Sequence, residues 1–160
     1  KFMLNGALTI GTLDGANVEI CEAVGEANMF LFGLKADEVE QMLRNGYQPM
    51  SYYQSNPWIA RILGAVMQGI GRPGGRSVPF VDIANSLLIS ANGSQADPYL
   101  VLADFDEYCR AQREVDRVYC NRDAWNEKAI VNVAHAGVFA ADRSIQEYND
   151  RIWHLTDLGR

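Results

Sequence analysis

Twice within the first 45 residues a short apolar run gives way to glycine and then to a segment with helical spacing. Residues 4–10 form the first run and Gly11-Thr12-Leu13-Asp14-Gly15 is turn-rich. The next nine residues read as a helix capped by Asp14 or Asn17. Met29-Phe30-Leu31-Phe32, between Gly25 and Gly33, reads as a buried strand. Val39, Met42 and Leu43 then fall at helical spacing up to Asn45-Gly46. Parallel strands need a crossover that packs back onto the sheet, so this alternation predicts an α/β fold.

Further along, the pattern turns helical. Residues 57–67 place Trp58, Ile62, Leu63 and Val66 on one stripe, with Pro57 suited to a first turn. Residues 69–77 (GIGRPGGRS) and 90–98 (SANGSQADP) read as loops, with a short helix over 81–89 between them. Residues 99–103 (YLVLA) read as one more strand. After Asp104 the sequence predicts helices over 105–119, 123–135 and 144–154, the last opened by a Ser144/Glu147 capping box. Two or three strands are too few for a doubly wound sheet, so further strands are expected outside this chain. Residues 1–104 read as a partial α/β section and 105–160 as a helical one.

Composition limits the function classes. Of 160 residues, 48% are hydrophobic and 21% charged, which excludes a disordered chain. A formal net charge of −6 argues against nucleic-acid binding, which needs clustered Lys and Arg. No apolar run approaches the roughly 18 residues of a membrane span. Cys21, Cys109 and Cys120 form no CxxC pair and read as reduced thiols of a cytoplasmic protein.

The chemical motifs are individually weak. Gly11 and Gly15 make a GxxxG between a strand-like run and a helix, which serves an anion or merely a tight turn. Arg72 and Arg76 sit in a loop that reads as solvated, and Asn92-Gly93-Ser94 reads as a turn. Glu22/Glu26 and Asp104/Asp106/Glu107 read as solvated helix ends. His135 reads as a cation at a helix C-terminus, and Trp58, Trp125 and Trp153 as core anchors. No metal site is read from the two separated histidines, His135 and His154.

Residues 1–19, KFMLNGALTIGTLDGANVE, resemble the α-glucan phosphorylases, the family of glycogen, starch and maltodextrin phosphorylases. That family's cofactor signature runs from a small-residue segment through Met to a lysine, two variable positions, Leu or Met, and Asn. Lys1, Leu4 and Asn5 match its second half. NMFLFG at 28–33, DPYLVLA at 97–103 and FAADRSIQEYNDRIW at 139–153 resemble later family segments. The resemblance covers nearly the whole chain and is loosest over 57–95.

It implies the C-terminal part of the second Rossmann-like lobe of a two-lobed, GT-B type glycosyltransferase. Such a parent cleaves terminal α-1,4-glucan units with orthophosphate, giving glucose 1-phosphate, and is a homodimer. Lys1 would be the residue that carries pyridoxal phosphate. Asn5, Gly6, Gly11, Thr12, Asp14 and Asn17 would shape the floor behind it. The phosphate-cradling segment of the family should precede Lys1, so the chain is read as a fragment, expected to be inactive alone. The rival readings are a non-catalytic interaction module that keeps the fold and a nucleotide-binding Rossmann piece. The second is disfavoured by the missing glycine fingerprint. An unpaired sheet edge and exposed apolar faces lead to an expectation of self-association.

Overall fold

The computed structural model describes residues 1–69, 78–91 and 93–156. It is a helix-rich α/β chain with a small parallel sheet. Strand β1 (Ile10–Gly11) pairs with β2 (Phe30–Leu31), Ile10 opposite Phe30 and Gly11 opposite Leu31. Helix α1 (Ala16–Val24) forms the crossover between them. The other helices are α2 (Ala36–Arg44), α3 (Pro49–Ser55), α4 (Pro57–Gln68), α5 (Val81–Leu88), α6 (Phe105–Tyr119), α7 (Arg122–His135) and α8 (Ala141–Tyr148). A π-turn over Asn149–Trp153 follows α8.

The chain divides into two compact units. The first comprises Lys1–Gly11, Gly15–Leu31 and Arg113–Arg160; the second comprises Thr12–Asp14 and Phe32–Gln112. The first unit has Met3, Val24, Met29 and Ala136 at its centre, with Ile20, Cys21 and Val131 packed around them. In the second unit Ile59, Leu63, Ala84 and Leu102 form the core, against Tyr52, Val66, Leu87 and Phe105.

Local chemistry sets several helix ends, and Pro57 in the first turn of α4 and Gly46 after α2 stand where the sequence predicts them. Asn56 caps α4, its Oδ1 accepting from the Trp58 N–H at 3.0 Å, with Pro57 in the first turn. Asn121 caps α7 by accepting from the Ala124 N–H at 3.2 Å. At α2 the Lys35 N–H donates to Glu38, and Gly46 follows the helix with φ +83°.

Elsewhere tertiary contacts overturn the sequence reading. Helix α1 has Gly15 at its N-cap and no side-chain cap, so neither Asp14 nor Asn17 caps it. Helix α8 begins at Ala141 behind Ala140, so Ser144 lies inside it rather than capping it. The buried stripe of α4 runs through Ile59 and Leu63. Trp58 and Ile62 are exposed, and the Arg61 guanidinium lies over the Trp58 ring at 5.6 Å. Trp153 is exposed too, whereas Trp125 packs against Phe30 and Tyr119.

The largest difference is at residues 99–103, which form a turn and not a strand. Asp97 is fully buried, and its carboxyl oxygens accept from the Val101 N–H at 2.9 Å and the Leu102 N–H at 2.8 Å. Those are donors that a strand would give to a neighbouring strand. Asp97 and Leu100 both have positive φ, and the Asp104 N–H closes the turn on the Leu100 carbonyl at 3.1 Å. Leu100 and Leu102 are buried while Tyr99 and Val101 are exposed. This turn therefore alternates inside and outside as a strand would, which is why the pattern misleads.

Candidate functional site

Lys1 precedes a 3₁₀ turn over Met3–Asn5. Met3 inserts into the first unit's core, while Lys1, Phe2 and Leu4 stay exposed. The Asn5 side-chain amide donates to the Lys1 carbonyl at 2.7 Å. The Ala7 N–H donates to the Phe2 carbonyl and the Gly6 N–H to the Met3 carbonyl, at 3.1 and 2.9 Å. The base of the lysine is thus held by hydrogen bonds at short sequence range. Its side-chain amine enters no ion pair or hydrogen bond among the described residues.

Helix α7 backs this turn. Ala129 lies beside Gly6, with 3.6 Å between its Cβ and the position a Gly6 Cβ would take. Next to Ala129 and one turn beyond it, two polar side chains of α7 secure the segment before β2. The Lys128 ammonium donates to the Ala27 carbonyl. The buried Asn132 amide donates to the carbonyls of Asn28 and Lys128, both at 3.0 Å. Asn28 in turn donates to the Val24 carbonyl at 2.7 Å, ending α1. Asn132 Oδ1 is buried with no hydrogen-bond partner among the described residues, a cost the two donated bonds offset.

The remaining motif residues separate into the two units. Gly11 belongs to the first, and there Asn17 explains it: a Cβ at Gly11 would stand 2.6 Å from Asn17 Nδ2. Thr12 and Asp14 belong to the second, with the Thr12 hydroxyl donating to Asp14 at 3.1 Å. His135 sits in the last turn of α7 with Nδ1 at 2.9 Å from the Val131 carbonyl, matching its helix-end reading. The three cysteines are free. Arg72, Arg76 and Asn92 lie outside the described residues; Ala91 and Ser94 exchange backbone hydrogen bonds around the latter.

Asp104 departs from its solvated reading. It is half-buried, and its Oδ1 accepts from the Leu34 N–H at 2.9 Å. Burial raises its carboxyl above the ordinary carboxylate range, as do the nearby Asp97, Asp14 and Glu107, while the Leu34 amide pulls it down. Tyr47 donates its phenol to buried Asp97 at 2.7 Å, and burial followed by that bond raises its pKa strongly. Sequence reading missed Tyr47, Asp97, Lys128 and Asn132, because their partners lie between 50 and 104 residues away, except for the two amides just after Asp97 and the Lys128 carbonyl one turn before Asn132.

The family model for carbohydrate phosphorylase matches residues 1–155. This chain belongs to the carbohydrate phosphorylase family. It is 46% identical to a glycogen phosphorylase of Synechocystis over 155 residues. Against the human liver form the identity is 40%, and against a glycogen phosphorylase of Haemophilus influenzae it is 42%. Each match covers 97% of this chain but only 17–18% of the relative's length. The family's resemblance in the opening motif thus extends through the helical region. Among the described residues no helix is long and apolar enough to cross a membrane.

Proposed function

We propose that this chain is the part of an α-glucan phosphorylase that carries the cofactor lysine, Lys1. The whole protein then cleaves terminal α-1,4-glucosyl units with orthophosphate and releases glucose 1-phosphate. What carries this reading is the Lys1 turn, fixed at its base by Asn5 and Met3 with an unengaged amine at its tip. An amine held in that way fits covalent attachment to the aldehyde of pyridoxal phosphate. When bound, that group supplies a phosphate monoester with a second pKa of about 6, able to exchange protons near neutrality.

The chain's own residues do the positioning. Asn5 holds the Lys1 carbonyl, Met3 anchors the turn in apolar surroundings, and α7 supports it through Ala129. Lys1 is the one residue here given a catalytic-site role; Asn5, Gly6, Gly11, Thr12, Asp14 and Asn17 are floor and packing. In the parent, residues 1–104 belong to the second Rossmann-like lobe of a two-lobed GT-B enzyme and 105–160 form its C-terminal helical section. A cytoplasmic homodimer completes the proposal. Its support is the family match and the 40–46% identity to glycogen phosphorylases.

The test is borohydride reduction of the full-length parent followed by peptide mass mapping. A pyridoxyl group on the Lys1 side chain is the expected result. Its absence, with the parent folded, overturns the cofactor role and favours a non-catalytic module. The isolated chain, spanning 17% of its relatives' length, is expected to give no glucose 1-phosphate from glycogen and phosphate. Measurable product from a contaminant-free sample overturns that expectation.

A further inference from the structure

The second unit contains a cavity of about 510 Å³, within the roughly 300–1,000 Å³ range of small-molecule sites. Phe32, Ile62, Val101 and Phe105 line it, and the Phe32 and Tyr108 rings meet edge to face with centroids 5.3 Å apart. Tyr99, which also lines it, is 84% exposed, and Val101 is 51% exposed. Large apolar side chains are thus left open to solvent around one concavity.

Two polar side chains interrupt this lining, Thr12 and Asp104. The Thr12 hydroxyl already donates to Asp14. Asp104 differs. Its Oδ1 accepts from the Leu34 N–H, while its Oδ2 accepts no hydrogen bond among the described residues. Gly33 lies so close that a Cβ there would stand 2.7 Å from Oδ2. The surrounding titratable groups that act on Asp104 are Asp14, Asp97 and Glu107, all acidic, and none of the described cations pairs with it. Every charged group acting on it is acidic, so among the described residues the site lacks a positive donor.

We propose that this cavity binds a small organic ammonium with an aromatic or branched-alkyl body. One ammonium N–H donates to Asp104 Oδ2, and the body packs against Phe32, Val101 and Tyr108. A neutral apolar ligand leaves Oδ2 unpaired, and an anion adds a further like charge. A cation instead gains a charge-assisted hydrogen bond beside aromatic rings. The proposal does not depend on the cofactor reading of Lys1.

The test titrates the 160-residue chain with phenethylammonium, 2-phenylethanol and 3-phenylpropionate, following backbone amide shifts by NMR. Shifts centred on Phe32, Val101 and Tyr108 are expected. The ammonium should bind about tenfold tighter than the alcohol, and the carboxylate weakest. Asp104→Asn keeps the acceptor for Leu34 and should bring ammonium and alcohol within about twofold of each other. Val101→Trp, at an exposed wall position, should abolish the shifts with all three compounds. Equal binding of alcohol and ammonium by the unaltered chain overturns the proposal. So does an undiminished ammonium preference in a folded Asp104→Asn variant, or the absence of shifts at this cavity. If Asp104→Asn does not fold, the ranking by the unaltered chain and the Val101→Trp result decide it.

Discussion

The two compact units secure their irregular segments with different chemistry. In the second, the turn after α5 closes on the carboxyl of Asp97, which accepts two backbone N–H donors and the Tyr47 phenol while fully buried. In the first, the corresponding work falls mostly to neutral amides, Asn5 on Lys1, Asn28 on Val24 and Asn132 on Asn28, with the Lys128 ammonium on Ala27 beside them. A carboxyl gathers several donors at one point, so its loss leaves all of them unpaired together. Amides spread the same function over separate bonds. The segment bearing the proposed cofactor lysine therefore depends on many small contributions, and the turn at 97–104 on one large one.

The contrast can be broken by mutation. Asp97→Ala leaves three donors unpaired, two of them on buried Tyr47 and Leu102, and should cost the most, about 4 kcal/mol, since each unsatisfied buried group costs roughly 1–3 kcal/mol. Urea unfolding gives its size, and segment-resolved hydrogen exchange should show protection lost first around Tyr47 and Leu102. Equal, simultaneous loss around Met3 and Val24 would refute the idea that the carboxyl acts within its own unit. Leu63→Ala, which removes apolar bulk from the second core, should cost about 3 kcal/mol, within the usual range for a buried leucine. Protection that persists in α4 and α5 of this variant would show that the core is not centred on Leu63.

Asn132→Ala sharpens the amide side of the comparison. It leaves the Asn28 carbonyl without this donor but also removes the orphaned Oδ1, so the loss should be smaller, about 1–2 kcal/mol. Faster exchange confined to residues near Asn28 and the end of α1 is the expected signature. Gly33→Ala should cost at least about 1 kcal/mol, because φ is +81° and the new Cβ meets the Asp104 carboxyl. A neutral or stabilising outcome there would mean that the turn shifts readily.

The smallest expected effect concerns pH. Asp104 is raised when folded, chiefly by burial, so the folded state holds its proton more tightly than the unfolded state does. Its contribution is fully present below the ordinary carboxylate range. It is lost as pH rises through the raised value. Asp104→Asn should therefore flatten the fall in stability with rising pH in that window, read from unfolding midpoints across a pH series. An unchanged slope would assign the pH dependence to other carboxyls.

Legibility in the sequence followed the range of the interaction. Local rules located β2, Pro57 in the first turn of α4, the end of α2 at Asn45-Gly46 and the full extent of α6, because each depends on neighbours within a few residues. The same rules assigned YLVLA to a strand, since alternation alone does not distinguish a strand from a turn wrapped around a buried carboxyl. They also put Trp58 in the core, although the helix turned Ile59 inward instead.

By itself the sequence determined the family, through the dense text from Lys1 to Glu19 and its continuation to residue 155, and it determined where most helices begin and end. Only the tertiary structure decided that Asp97 is a buried hub, that Asp104 is a half-buried carboxyl beside an apolar cavity, and that α7 backs the Lys1 turn. The physical reason is distance along the chain. Hydrogen bonds and packing between residues 50 to 123 positions apart leave no periodicity to read, and they exist only once the backbone has brought their partners together.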